Sequence, residues 1–389
     1  MPRGGAVDKT PSEYWIDFTL KNACVTFFDD HFSRFRSAYV VNSPPVEAMV
    51  HGFTEYTEGY QRLTTVRPPR RGESVSPATC QRGAPLAIAV PFSCNNIYHQ
   101  TFHAVPAWEM WKRHAPYDDS TGGTRAVDFL PLVYPSAAIG KKMSTDPRRW
   151  HAWEFSIRPF TRRSTAEIAK RTDELINSRC TCFDTIHANA PAFNPIARTA
   201  APRLRAFRRA ALRMLPGVSV PRVRDVPADV TDLLWIVRQH ALRNIQNDAQ
   251  LRAAFSRDAA LARRLKRVTL EELSLSEQMA LLASSCGLLA VHGQAMSWVL
   301  FLPSGQRRTA AVEIFPKGLV NHIYKELSTT LGVRYEDVQA KAASGCVTKG
   351  AKIAEQLKCN VSVDVDAVVA AASRSAAWTA GSVGVVSGI

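Results

Sequence analysis

The 389-residue chain has no apolar run of about 18 residues, the length a membrane-spanning helix needs. Its opening stretch, MPRGGAVDKTPSEYWIDFTL, lacks the short apolar core of a secretion signal. Taken alone, this gives two readings: a cytosolic protein, or one whose true start lies upstream. There is no CxxC, and no Cys/His cluster has zinc-site spacing, so a structural metal is not expected. His99 and His103 stand at i, i+4, but the residues between them are Gln-Thr-Phe. Without the glutamate of HExxH they do not read as a metalloprotease zinc pair. No DNA-binding motif and no aromatic–basic interleaving of an RNA module is present, so a nucleic-acid partner is not expected either.

What is there is ordinary globular material with a strong positive bias. The chain is 46% hydrophobic and 21% charged, enough to bury a core in two or three domains. Net charge is +15. Part of it is local: between Arg198 and Arg224 there are eight arginines and no acid. Such a run suits polyanions, acidic glycans or anionic membranes. Its Arg/Ala/Leu/Phe spacing equally suits a solvated face of one helix. The eight cysteines include a lone Cys180-Thr181-Cys182; an even count permits disulfides but the spacing does not demand them. One N-glycosylation sequon occurs, at Asn360-Val361-Ser362.

The most informative stretch runs from Leu288 to Pro316. Leu288 to Val291 reads as a buried parallel strand, His292-Gly293 as a turn, Gln294 to Phe301 as a helix, and Ala310 to Phe315 as a second strand with one acid, Glu313. Such a βαβ unit directs its turn and the helix N-terminus to the carboxyl edge of the sheet, where anions bind. Upstream, Leu233 to Val237 reads as a strand with Arg238 at its end, Val268 to Leu270 as a short strand, and Leu275 to Ser284 as a helix capped by Ser274 or Ser276. Alternation of strand and helix here argues for a Rossmann-like domain. Arg238 and Arg243 at one sheet edge suit a diphosphate; the other reading pairs them with Asp248, Glu271 or Glu272.

The first half is harder to read. Ala38 to Val41, Leu86 to Val90 and Arg125 to Tyr134 read as strands, Gln100 to His114 as a helix interrupted by Pro106, and Ser164 to Ile176 as an amphipathic helix. His99 just before that helix and His103 within it are base candidates, since neutral imidazole suits proton removal from a sugar hydroxyl. The aromatic run Trp150 to Phe160 reads as a core cluster or a sugar-stacking surface.

An ordered series of motifs resembles glycosyltransferase family 61, which includes EGF-domain-specific O-linked and protein O-mannose N-acetylglucosaminyltransferases and plant xylan xylosyl- and arabinosyltransferases. The series is LLWIVR ending at Arg238; Arg243, Ile245, Asn247 and Asp248; the Glu277-Gln278 helix start; Val291-His292-Gly293; Leu300 to Pro303; and Val312 to Pro316. It spans residues 231–325, with Asn96-Ile97-Tyr98-His99 as a further match. The resemblance implies a GT-B-like α/β fold, two Rossmann-like domains facing across a cleft. The expected divisions are an acceptor-side domain at 1–190, a basic helix and linker at 191–230, and a nucleotide-sugar domain at 231–389.

It further implies inverting transfer of a sugar from a UDP-sugar to a protein or polysaccharide hydroxyl, with no bound metal. Arg238, Arg243, Asn247, His292, Gly293, Gln294, Ala295 and Glu313 would contact the nucleotide sugar, Glu313 near the ribose. His99 would be the base, with His103 and Glu109 behind it. The implied compartment is the ER or Golgi lumen, with membrane association through an N-terminal anchor not visible in this chain. The chain departs from the family's HGAGLTN at Gln294, Ala295, Ser297 and Trp298. A changed donor, or a GT-B-like protein that binds glycan or nucleotide without turnover, is the alternative.

Overall fold

The structure is a computed structural model that describes residues 15–30, 33–41, 80–92, 97–114, 127–133, 147–178, 180–191, 201–217, 232–238, 243–319, 321–344 and 360–381. It is an α/β protein with parallel-strand sheets. Its contacts divide the chain between Ile196 and Ala197.

The N-terminal unit is built on one mixed sheet. Its strands are β1 (Trp15–Asp30), β2 (Ser33–Val41), β3 (Gln81–Arg82), β4 (Leu86–Phe92), β5 (Val127–Val133) and β6 (Thr181–Pro191), in the order β2-β1-β6-β4-β5 with β3 beside β6. β4 pairs in parallel with β5 and β6; β1 runs antiparallel to β2 and β6. The apolar runs read from sequence at 86–90 and 125–134 supply β4 and β5, at one side of this sheet. Pro131 lies inside β5, which among the described residues pairs with β4 alone and so is an edge strand that tolerates it. Helices α1 (Ile97–His114), α2 (Pro147–Ile157) and α3 (Thr165–Asn177) complete the unit, and Pro106 stands within α1. Ser164 caps α3 through a reciprocal box with Glu167. The aromatic run is core: Trp153, Phe155 and Phe160 are fully buried, and Phe160 packs edge-on to Trp111.

Two disulfides tie this sheet, Cys24 to Cys182 and Cys80 to Cys180. Register explains both. Cys24 lies opposite Cys182 on antiparallel β1 and β6, and Cys80 precedes Gln81, which lies opposite Thr181. The CxC thus sends two side chains from one face of β6 to two different neighbouring strands.

The C-terminal unit carries five parallel strands: β7 (Leu233–Val237), β8 (Leu265–Thr269), β9 (Gly287–Val291), β10 (Ala310–Phe315) and β11 (Arg334–Gln339). Their order is β8-β7-β9-β10-β11, the 2-1-3-4-5 arrangement of a doubly wound sheet, compatible with a Rossmann-like fold. β9 and β10 are buried along their whole length, which is why they read as continuous apolar runs. Helices α4 (Ala201–Arg213), α5 (Asp248–Arg257), α6 (Ala259–Arg264), α7 (Leu275–Ser284), α8 (Ile323–Leu331) and α9 (Val365–Ala380) accompany them. Ser274, not Ser276, caps α7, again by a reciprocal box with Glu277. Gln278 donates to the carbonyls of Leu270 and Leu273, so the Glu-Gln pair of the motif builds the helix start.

The expectation of a basic helix and linker at 191–230 is corrected in part: α4 is built into the second unit. Arg208 is buried and donates to the carbonyls of Leu302 and Ser304, while Arg205 donates to the carbonyl of Leu331. Both arginines therefore occupy carbonyls at the ends of other helices, where positive charge is favoured. Burial pushes Arg208 down to about 10, so it still carries its charge at neutral pH. These two side chains are not part of a solvated basic face.

Candidate functional site

In a 2-1-3-4-5 sheet the connections leave in opposite directions on either side of the first strand. The gap they open lies beyond the carboxyl ends of strands one and three. Here those are β7 and β9. Arg238 follows β7, and His292-Gly293 follows β9. Fold and motif therefore point to the same edge.

Gly293 has φ 145°, a backbone region that side chains disfavour. A Cβ there would collide with Nη1 of Arg243 and come within 3.1 Å of Nη2 of Arg238. The two guanidiniums thus converge on one glycine backbone. Arg243 donates from Nη1 to the carbonyl of His292 at 3.3 Å. Its own φ is 64°, the one positive value among the described non-glycine residues. Such a conformation costs about 1–3 kcal/mol and persists only where the surroundings enforce it.

Burial holds both arginines below their ordinary range, Arg243 to about 10, and each guanidinium repels the other on Arg243. Both remain charged at neutral pH. Among the described residues no carboxylate lies in direct ion-pair contact with either, and the charge of Glu271 offsets the burial of Arg238 only in part. Asp248 pairs instead with Arg252 at 2.9 Å and Arg267 at 3.6 Å. Half-buried cations without a carboxylate are costly unless an anion completes them. A cavity of about 180 Å³ adjoins them, lined among others by Ile236, Asp248, Val291 and Ala295.

His292 is buried behind this edge. Its Nδ1 lies 2.5 Å from Oε1 of Glu313, and Tyr335 donates its hydroxyl to Oε2. The ring stacks on Phe315 and tilts against Tyr324. Burial, then the Glu313 carboxylate, pushes the Tyr335 phenol far up, keeping it a neutral donor. Glu313 is fully buried with both oxygens engaged. The contacts it makes are to His292 and Tyr335, with both oxygens taken up by the fold. Asn247 is likewise engaged through its amide. Its side chain donates to the carbonyl of Val363 at 3.0 Å and accepts from the Val363 N–H at 2.9 Å, so its amide is used by the fold.

Gln294 and Ala295 open the expected helix, Gln294–Phe301, which is of the 3-10 type. Ala295 lines the cavity, so the departure from glycine at this position is a departure in the cavity wall. Arg238, Arg243, His292, Gly293 and Ala295 are thus brought together. His99, His103 and Glu109 share α1 in the other unit, and Glu109 is half-buried. Sequence reasoning missed Tyr324 and Tyr335: single tyrosines outside any motif give no signal until β11 is placed beside β10 and α8 beside the turn.

No protein-family model matches the chain, and no curated protein matches it. Among solved structures it is similar to rubredoxin oxygen:oxidoreductase from the anaerobe Desulfovibrio gigas, at 8% identity over 95% of this chain and 98% of that one, with a TM-score of 0.26. A likeness that slight carries no conclusion about fold or activity.

Proposed function

We propose that the protein is an inverting glycosyltransferase that moves a sugar of the N-acetylglucosamine, xylose or arabinose class from a UDP-sugar to a protein or polysaccharide hydroxyl. The observation that carries this reading is the convergence of Arg238 and Arg243 on the Gly293 backbone at the sheet's switch point, with no carboxylate in direct ion-pair contact with either among the described residues. Paired guanidiniums match diphosphate oxygens by bidentate hydrogen bonds. The motif series shared with glycosyltransferase family 61 supports the rest. A GT-B arrangement of the two units across a cleft, and a lumenal ER or Golgi setting, belong to the proposal on that ground.

In this reaction the acceptor oxygen attacks the anomeric carbon, and the bond from that carbon to the diphosphate oxygen breaks. UDP departs with the bonding pair, and its negative charge grows as it leaves. Arg238 and Arg243 stabilise that charge, a task a divalent cation performs in other transferases. The acceptor proton goes to a base on the N-terminal unit, assigned to His99, with His103 and Glu109 on the same helix. The cavity is smaller than the roughly 300 Å³ lower range of small-molecule pockets. It suits the diphosphate, with the nucleoside and sugar extending beyond it.

The test is UDP titration followed by a nucleotide-sugar panel scored by release of free UDP. Binding that weakens in Arg238→Ala, with release from one donor in the presence of acceptor, supports the reading. Unchanged UDP affinity in Arg238→Ala sinks the diphosphate assignment. UDP binding without release from any donor favours the non-catalytic alternative. A His99→Ala variant that binds UDP and still transfers removes His99 from the base role.

A further inference from the structure

The anion edge is held from a part of the chain that no motif singled out. The turn at residues 244–247 adds a short parallel pairing to β13 (Asn360–Ser362), which pairs on its other side with β12 (Ala342–Ser344). The Asn244 N–H donates to Oδ1 of Asn360 at 2.9 Å. The Val361 N–H donates to the Asn244 carbonyl at 2.9 Å, and the Gln246 N–H to the Val361 carbonyl at 2.8 Å. Asn247 then locks onto Val363 with both halves of its amide. Val361 and Val363 are buried in the same apolar cluster as Val291, the residue before His292-Gly293, with Ile245 packed against it. All of these bonds fall within four residues of Arg243, whose left-handed backbone needs enforcement.

We propose that Asn360 and Asn247 are positioning residues for the anion site: they touch no ligand, and they hold Arg243 against Gly293 by bracing residues 244–247 on β13. This inference rests on the proposed diphosphate site. It assigns the Asn360 side-chain oxygen of the sequon a role in ligand affinity. Without the brace the turn relaxes toward an ordinary right-handed backbone, which redirects the Arg243 side chain. The loss then appears as weaker anion binding, and it appears only while Arg243 is present.

That condition gives the test. Inorganic pyrophosphate is titrated calorimetrically, at fixed ionic strength, into the full-length wild type, Asn360→Ala, Arg243→Ala and the double variant, with melting temperature followed in parallel. The expected result is about tenfold weaker binding in Asn360→Ala and no further loss on adding Asn360→Ala to Arg243→Ala, the non-additivity of groups in one network. The melting temperature should fall by the same amount in both backgrounds. Unchanged affinity in Asn360→Ala, or equal losses in both backgrounds, overturns the positioning role. Asn247→Ala, run through the same cycle, stands in if Asn360→Ala does not fold. Wild type that fails to bind, or whose binding ignores Arg238→Ala and Arg243→Ala, overturns the diphosphate site itself and this inference with it.

Discussion

Nδ1 of His292 and Oε1 of Glu313 are 2.5 Å apart, the end of one parallel strand meeting the middle of its neighbour. Both groups are buried, and Tyr335 occupies the remaining carboxylate oxygen. Removing Glu313 leaves buried His292 and half-buried Tyr335 without this partner, and an unpaired buried polar group costs about 1–3 kcal/mol. Glu313→Ala should therefore lower unfolding free energy by several kcal/mol in urea titrations, and Tyr335→Phe by less. A loss in Glu313→Ala no larger than that of an exposed acid such as Glu326→Ala would show the cluster to be energetically idle.

Arg238 and Arg243 should act against stability when no ligand is present. Each is desolvated, Glu271 offsets this for Arg238 only in part, and the charge of Arg238 bears on Arg243. Arg238→Met should melt at the same or higher temperature than wild type in buffer, and should lose the stabilisation by UDP. At ligand concentrations about a hundredfold above Kd that stabilisation is about 2.7 kcal/mol in wild type. A variant that is both less stable without ligand and equally stabilised by UDP contradicts the site.

In the N-terminal unit Asp128 is buried. Burial alone would raise its carboxyl, but hydrogen bonds from Arg171 and the Ala84 N–H, with the charge of Arg171, hold it below the ordinary range. A depressed folded value means that the unfolded chain takes up the proton first. The stabilisation is therefore present above the unfolded value of about 3.9 and lost as pH falls through the lower folded value. Asp128→Asn should be less stable than wild type at pH 6, with the gap narrowing below about pH 4. A gap that stays constant down to pH 2.5 contradicts this coupling.

The two bridges close loops with sequence separations of 158 and 100 residues. Loss of a native bridge over such a loop costs on the order of 2–5 kcal/mol. Cys24→Ser with Cys182→Ser should lower the melting temperature of the N-terminal unit while leaving UDP binding by the C-terminal unit unchanged. Equal melting of oxidised and reduced protein would contradict the pairing.

The C-terminal strands were legible because parallel strands buried on both faces need continuous apolar runs. Leu233 to Val237 and Ala310 to Phe315 coincide with their observed bounds. The meeting of Arg238 with His292-Gly293 at one sheet edge was legible because glycine after a strand, and arginine after its neighbour, are local signals. The roles of Glu313 and Asn247 were not legible. Each is an acid or amide in a motif, and only the third dimension shows that its polar atoms are already taken by Tyr335 and Val363. Charge misled for the same reason: Arg208 counts toward a basic run in sequence, yet it ends inside the protein on carbonyl oxygens. The disulfides depended on strand register, which Cys spacing does not encode.

The brace between residues 244–247 and β13 joins positions 116 apart in the chain. Closing a loop of that length is entropically slow, and contacts of that range form late in folding. The five-stranded sheet can collapse on its nearer neighbours first, with Arg243 still free to sample the ordinary right-handed backbone. Anion-binding competence should then lag behind secondary structure in refolding, appearing as a separate, later phase.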